Sequence, residues 1–257
     1  MRELLRSVQI VALCLCSFAV HAQKGLFENE NLPARKGFLV GVNGSFDMPG
    51  ADMAKRFGPG YRVGLSCHYK TKSNWVFGMK LDFLNGSSIR EDSLFSGVIG
   101  PDSTFINQDG QRLYVQKFKR GFMLGAEAGY IFRLTPKLQD AGILVMTGAG
   151  FMQHRILIKD KSESIVALQG DYRKGYDRLT NGIYVEQYVG YVFLSNTGLV
   201  NFHLGLDVVA GFTQGRRDFL YDVRRPGTDK RVDIMFGVRG GWILPIFKRK
   251  SEDYYFE

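Results

Sequence analysis

Residues 199–214 alternate between apolar and polar side chains for longer than most soluble strands run. Val200, Phe202, Leu204, Leu206, Val208, Ala210 and Phe212 fall on one face. Asn201, His203, Gly205, Asp207 and Thr213 fall on the other, with Val209 and Gly211 as bland exceptions. Successive side chains of a strand point to opposite sides, so one face must meet an apolar medium and the other a polar one. The length suits a tilted strand crossing a bilayer, which takes about 9–11 residues. The pattern recurs eight times after Ala22, with turn signals between. The expected fold is all-β: a closed antiparallel transmembrane β-barrel of eight strands.

The first 22 residues read as a secretory leader. Arg2 and Arg6 are basic, Val8 to Val20 is mostly apolar, and Val20-His21-Ala22 is a cleavage site. The apolar stretch is short for a membrane helix. Cys14 and Cys16 each follow Leu rather than a small residue, so lipidation is not expected. Cys67 is the remaining cysteine and sits at an apolar-phase strand position as a lipid-facing filler. Residues 23–36 are expected to form a periplasmic arm, 37–247 the barrel, and 248–257 a short periplasmic tail. Ten residues are too few to fold, which argues against a peptidoglycan-anchoring module, but they could dock on a periplasmic partner as a peptide.

Net charge is +9, and +8 once Arg2, Arg6 and Glu3 leave with the leader. Export removes nucleic acid as a partner. Anionic headgroups, lipopolysaccharide phosphates among them, are the natural counterpart. After the leader there is no run of 18 apolar residues, so any span must be a strand in a closed barrel.

Strands are expected at 37–46, 61–70, 75–84, about 121–134, about 142–157, about 182–194, 199–214 and about 231–245. Residues 112–118 alternate too and could extend strand four beyond the bilayer. Connections run long, short, long, short, long, short, long. Bacterial outer-membrane barrels have short periplasmic turns, longer extracellular loops and an even strand count. That places 47–60, 85–120, 158–180 and 215–230 outside and both termini in the periplasm. A hairpin within 86–118 would make ten strands. Trp75, Tyr69, Tyr130, Phe132, Tyr191, Phe193 and Trp242 would form the periplasmic aromatic girdle. A soluble sandwich or lipocalin-like barrel would bury this apolar face instead, and the leader and the regular loop alternation argue against it.

Inward positions carry charges near mid-strand: Lys80, Asp82, Glu127, Glu186, Asp207 and Arg239. Eight strands leave an interior just wide enough for side chains to fill, and charges there must be paired or wet. Asp207 and Arg239 lie at comparable depth on adjacent strands. A salt-bridged plug is favoured over a proton or ion path. Inward glycines such as Gly125, Gly205 and Gly237 make room for the long chains.

Chemistry is sparse. His68 and His203 fall in the periplasmic half, and His154 lies near the outer end of strand five without a partner at readable spacing. No spacing suggests a metal or a cofactor. Two outer loops interleave aromatic and basic residues: Tyr172, Arg173, Lys174, Tyr176 and Arg178 in one, and Arg216, Arg217, Arg224 and Arg225 in the other. They could bind an anionic glycan, a lipid phosphate or a protein, or simply form a solvated rim.

Residues 49–58 (PGADMAKRFG), 72–78 (KSNWVFG), 174–182 (KGYDRLTNG), 214–218 (QGRRD) and 240–245 (GGWILP) carry a resemblance. The chain resembles the small outer-membrane barrels of the Bacteroidota, the PorT-like group within the OmpA/OmpX-type barrels. The resemblance implies an outer-membrane location in a Gram-negative bacterium. It also implies that some members serve as accessory subunits of outer-membrane machines, including type IX secretion and barrel assembly. It carries over no catalytic residue. The expected role is a non-enzymatic structural or binding protein at the cell surface. The alternatives are a machine subunit docking on another outer-membrane or periplasmic protein, an outer-rim enzyme acting on lipid or protein, and a small ion channel.

Overall fold

The computed structural model describes residues 34–100, 104–106, 110–134, 140–159, 165, 168–195 and 200–247. The leader, the arm up to residue 33, the turns at 135–139 and 196–199 and the tail at 248–257 lie outside the described residues.

Eight long strands carry the fold: β1 (Gly37–Gly50), β2 (Gly60–Lys70), β3 (Trp75–Gly86), β4 (Gln116–Arg133), β5 (Gly142–Lys159), β6 (Thr180–Leu194), β7 (Asn201–Gly215) and β8 (Lys230–Phe247). Each pairs antiparallel with its neighbour in the chain, and β1 returns to β8 to close the barrel. The closing register runs from Gly37 opposite Phe247 to Gly50 opposite Ile234. Closure leaves no sheet edge, which is what hydrocarbon demands of a spanning sheet. A hairpin does form within the second outer loop, Phe105–Ile106 against Arg112–Leu113, but it has two residues per arm and stays outside the barrel. The barrel therefore has eight strands and not ten.

Several strands run further than the expected ranges. β1 continues to Gly50 rather than ending at 46, β4 starts at Gln116 and β5 reaches Lys159. On β4 and β5 the added outward positions no longer need to be apolar, as at Gln116, Arg120 and Lys159, whereas on β1 the apolar phase continues through exposed Met48. Their ladders hold because the facing strand is equally long, as in Gln116 opposite Lys159.

The outward face is as the alternation requires. Phe38, Val42, Val63, Leu65, Met79, Phe83, Leu206 and Val238 are all exposed, and so is the free thiol of Cys67. A soluble protein does not present so continuous an apolar surface. At the periplasmic end Trp75 packs edge-on against Tyr130 at 5.3 Å, Tyr130 meets Phe132 at 4.9 Å, and Phe38 meets Tyr69 at 5.3 Å. Phe193 departs from the expected girdle: it is buried, its ring 5.8 Å from Phe202.

Connections at the other end build a cap. A short helix α1 (Ala51–Arg56) follows β1, and its Met53, with Phe57 just beyond, is fully buried. They join Leu84, Met123, Met152, Val209 and Met235, inward residues from the outer halves of five strands. Leu94, Phe95, Phe105, Ile165, Leu168 and Tyr176 from the second and third loops complete that core. A second apolar cluster, including Leu39, Val76, Ile131, Leu144, Val192 and Ile243, fills the periplasmic end.

Leu206 is 65 % exposed near the middle of β7. Leu206→Arg is expected to cost about 2–4 kcal/mol of folding free energy, the penalty of a cation on the lipid face near the bilayer centre. Urea titration of the barrel refolded into vesicles measures it, and an unchanged midpoint would contradict this depth assignment.

Candidate functional site

Between the two apolar clusters lies a layer of charge. The narrow lumen forces long polar side chains from opposite walls to meet, and each arrives from an inward position of its strand. Arg239 on β8 reaches across to Glu127 on β4 at 3.1 Å and to Glu186 on β6 at 2.9 Å, with its guanidinium 4.2 Å above the Tyr188 ring. Lys80 on β3 pairs with Glu186, with Asp82 at 3.0 Å and with Glu127 at 3.5 Å. His68 adds a hydrogen bond to Glu127 at 2.9 Å.

Asp207 does not pair with Arg239 by hydrogen bond or close contact, although the two lie on adjacent strands. It is held by Arg62 of β2, which also grips Asp47 with two bonds of 2.8 Å. Arg62 and Asp47 are both buried and complete the layer. Both follow the inward phase of their strands, and Asp47 is hidden in the sequence because Pro49-Gly50 just beyond it reads as a turn. Glycine permits this density at Gly237, where an added methyl would sit 2.7 Å from both Asp47 Oδ1 and Ser45 Oγ.

Beneath the charges is a cavity of about 40 Å³, bounded by Asn43, Ser66, His68, Glu127, His203 and Arg239 above and by the lower apolar cluster. That is room for about one water. His203 is spoken for, bonded to the Tyr188 hydroxyl and to Asn43 Oδ1 at 2.9 Å each. At the periplasmic mouth Asp140 binds Arg35 at 2.6 Å and Lys70 at 2.7 Å, and Arg35 lies 4.2 Å over the Phe247 ring. The lumen is packed at the top, the middle and the bottom.

The loops above are tied to one another rather than left separate. Glu91 of the second loop receives Arg56 of the first and Arg178 of the third, both at 2.7 Å. Arg178 also pairs with Asp222 of the fourth loop. Its backbone is left-handed at φ 52°, an uncommon conformation for arginine, held here by these three-way contacts. Burial would raise the Glu91 carboxyl, but Arg56 and Arg178 outweigh it and leave it below its ordinary value. Main-chain bonds add to the tie, from Arg90 N to Arg56 O at 2.9 Å and from Arg216 N to Leu179 O at 2.9 Å.

The two basic-aromatic loop sets therefore divide. Tyr176 is buried against Phe95 and Tyr221, Arg178 serves the cap, Arg217 clasps Asp177, and Arg173 donates to Leu168 O. Arg225 pairs with Asp229 and Lys174 with Asp171, both at the surface. Tyr172, Arg216 and Arg224 are exposed. Tyr172 stands 6.3 Å from Tyr221, which stands 5.7 Å from Phe219, and all three rings reach solvent. Phe219 and Tyr221 sit on a small hairpin, Arg217–Leu220 with Arg225–Gly227, whose turn Arg224 makes with φ 49°.

His154 acquires the partner that spacing could not show. Its Nε2 lies 2.9 Å from Asp233 of β8, and Thr213 donates to the same carboxylate at 2.5 Å. The set has the residue types of a catalytic relay, but Phe57 packs edge-on against the imidazole at 5.5 Å and both His154 and Asp233 are wholly buried. A substrate at the rim does not reach it. Among the described residues no group of His, Cys, Asp and Glu could hold a metal.

No family model matches the chain and no curated protein matches it in sequence. Among solved structures it is similar to Neisserial surface protein A, with 13 % identity over 81 % of this chain and 97 % of that one and a TM-score of 0.43. It is also similar to Ail, the attachment invasion locus protein of Yersinia pestis, with 9 % identity over 81 % and 99 % and a TM-score of 0.41. OprG from Pseudomonas aeruginosa gives 11 % identity over 82 % and 96 % and a TM-score of 0.38. At these values the assignment rests on the chain's own geometry: a closed barrel of eight strands, apolar outside, with large connections at one end only. It is an outer-membrane β-barrel protein.

Two outcomes follow for the barrel. Arg62→Leu is expected to lower stability by about 3–5 kcal/mol, because Asp47 and Asp207 lose their buried counter-charge, and adding Asp207→Asn should recover part of it. Urea titration of the three variants reads both effects, and additive losses would contradict the pairing. Glu91 has a depressed value in the folded cap, so its contribution is complete above its ordinary 4.5 and fades as pH falls through the lower folded value. Cap loops should resist pepsin near pH 4.5 and lose that resistance in stronger acid. Glu91→Gln should leave the loops open to cleavage at both, and an acid profile unchanged by that substitution would contradict the tie.

Proposed function

We propose that this barrel acts without catalysis as a structural or binding protein at the cell surface, with its lumen closed and its cap as the working face. The observation that carries the reading is the joining of the four loops through Glu91, Arg178 and Asp222 above a lumen blocked by the charge layer and two apolar clusters. A cap held this way costs little ordering entropy when it meets a partner. The exposed rings of Tyr172, Phe219 and Tyr221, with Arg224 beside them in the chain, have the composition of a recognition patch. Its partner would be a surface or outer-membrane protein, which also accommodates the machine-subunit role implied by the resemblance to PorT-like barrels. The buried state of His154 weighs against a rim enzyme, and the charge layer weighs against a conducting pore.

Planar-bilayer recording and a mild-detergent pull-down from native outer membranes test the two halves together. The expected results are no unitary conductance, and stoichiometric recovery of a partner that Tyr172→Ser with Tyr221→Ser abolishes. Stable conductance, or recovery unaffected by the two substitutions, would overturn the reading.

A further inference from the structure

The outward surface at the extracellular rim differs from one side of the barrel to the other. On β6, β7 and β8 the last apolar row is continuous, with Ile183 opposite Phe212 and Phe212 opposite Val232, all exposed. Two residues further out, the next outward row is Asn181, Gln214 and Lys230. Arg216 follows just past the end of β7 and donates to Asn181 Oδ1 at 2.6 Å. A groove of about 550 Å³ covers both rows.

The groove is cationic and uncompensated. Among the described residues no carboxylate pairs with Arg216 or Lys230. Asp52 lies on its edge, but its oxygens are engaged by Lys55 Nζ at 2.7 Å and Val232 N at 3.0 Å. Arg231 turns inward to Asp52 O and Asp233. Two cations and two side-chain amides thus stand directly over side chains that lie in hydrocarbon.

The same imbalance continues on β4 and β5. There Arg120 lies directly opposite Arg155, one outward row above Phe122 and Gln153, and neither pairs with a carboxylate among the described residues. Like charges placed opposite one another in a sheet are destabilising, unless an anion lies beside them. On β3, β2 and β1 the same outward row continues as Asn85, Tyr61 and Phe46, none of them charged.

We propose that the groove on β6 to β8 binds the headgroup of a phosphorylated glycolipid of the outer leaflet, of the lipid A class. Lys230 and Arg216 take a phosphate, Gln214 and Asn181 meet sugar hydroxyls, and Ile183, Phe212 and Val232 support the acyl chains. A headgroup phosphate sits at the same height relative to its own chains as these cations do relative to the apolar row. Lys and Arg at a membrane surface attract anionic lipid by charge, and the planar guanidinium suits a phosphate. This site depends on the outer-membrane placement and is independent of the loop patch proposed above.

The test is native mass spectrometry of the full-length protein purified in neutral detergent. The probes are diphosphoryl lipid A, its dephosphorylated form and phosphatidylglycerol, with inorganic phosphate as competitor. Diphosphoryl lipid A is expected to be retained in preference to the other two, and Arg216→Gln with Lys230→Gln should weaken its retention about thirtyfold. The heat-modifiable gel mobility of the double variant should match the parent, which separates lost binding from lost folding. Equal retention of the dephosphorylated lipid or of phosphatidylglycerol, displacement by inorganic phosphate, or undiminished retention by the folded variant would each overturn the proposal.

Discussion

Within a bilayer, a backbone amide without a partner costs several kcal/mol, and an open strand edge would expose a row of them. Here that cost is avoided by the ladder between β1 and β8, fourteen residue pairs that join the first strand to the last. Everything else follows from that closure at eight strands. It fixes a lumen only as wide as the side chains that fill it, and it turns the alternate face of every strand toward lipid.

Such a narrow lumen leaves little choice for the polar side chains within it. They are too close to one another to remain unpaired and too enclosed to be hydrated freely. The answer is a shared layer in which Arg62, Lys80 and Arg239 each serve more than one carboxylate. Buried ion pairs of this kind are weak evidence for stability in themselves, because desolvation offsets much of their attraction. Their effect is on specificity. Each cation bridges distant strands, as Arg62 of β2 does to Asp207 of β7, so a slipped register would strand a charge.

The cap extends the same solution upward. Met53 and Phe57 descend onto inward methionines of the strands, and the Glu91 and Arg178 junction holds the loops above them. The loops therefore share one buried core with the outer half of the barrel. That arrangement consumes several basic residues that would otherwise dominate the outer surface. What it leaves exposed is an aromatic group on the top, around Tyr172 and Tyr221, and cations on the outward rim, at Arg216 and Lys230.

Local alternation was enough to read the eight strands, the lipid-facing side chains and the inward placement of Lys80, Asp82, Glu127, Glu186, Asp207 and Arg239, because inside and outside follow from a period of two along one strand. Arg62 was legible by the same rule, lying between outward Tyr61 and Val63, and Asp47 was not, since Pro49-Gly50 just beyond it reads as a turn while the strand continues through both. Partner choice was beyond reach. Depth on neighbouring strands favoured Asp207 with Arg239, whereas the carboxylates that Arg239 meets come from β4 and β6 across the lumen. Loop fate was equally hidden, with Arg178 drawn into the cap and Arg224 left in water. The sequence by itself determined which side of the wall each strand residue occupies, a property of the individual strand. Only the tertiary structure decided which charges pair and which loop residues stay free, because those depend on distances across a closed barrel that no spacing along the chain encodes.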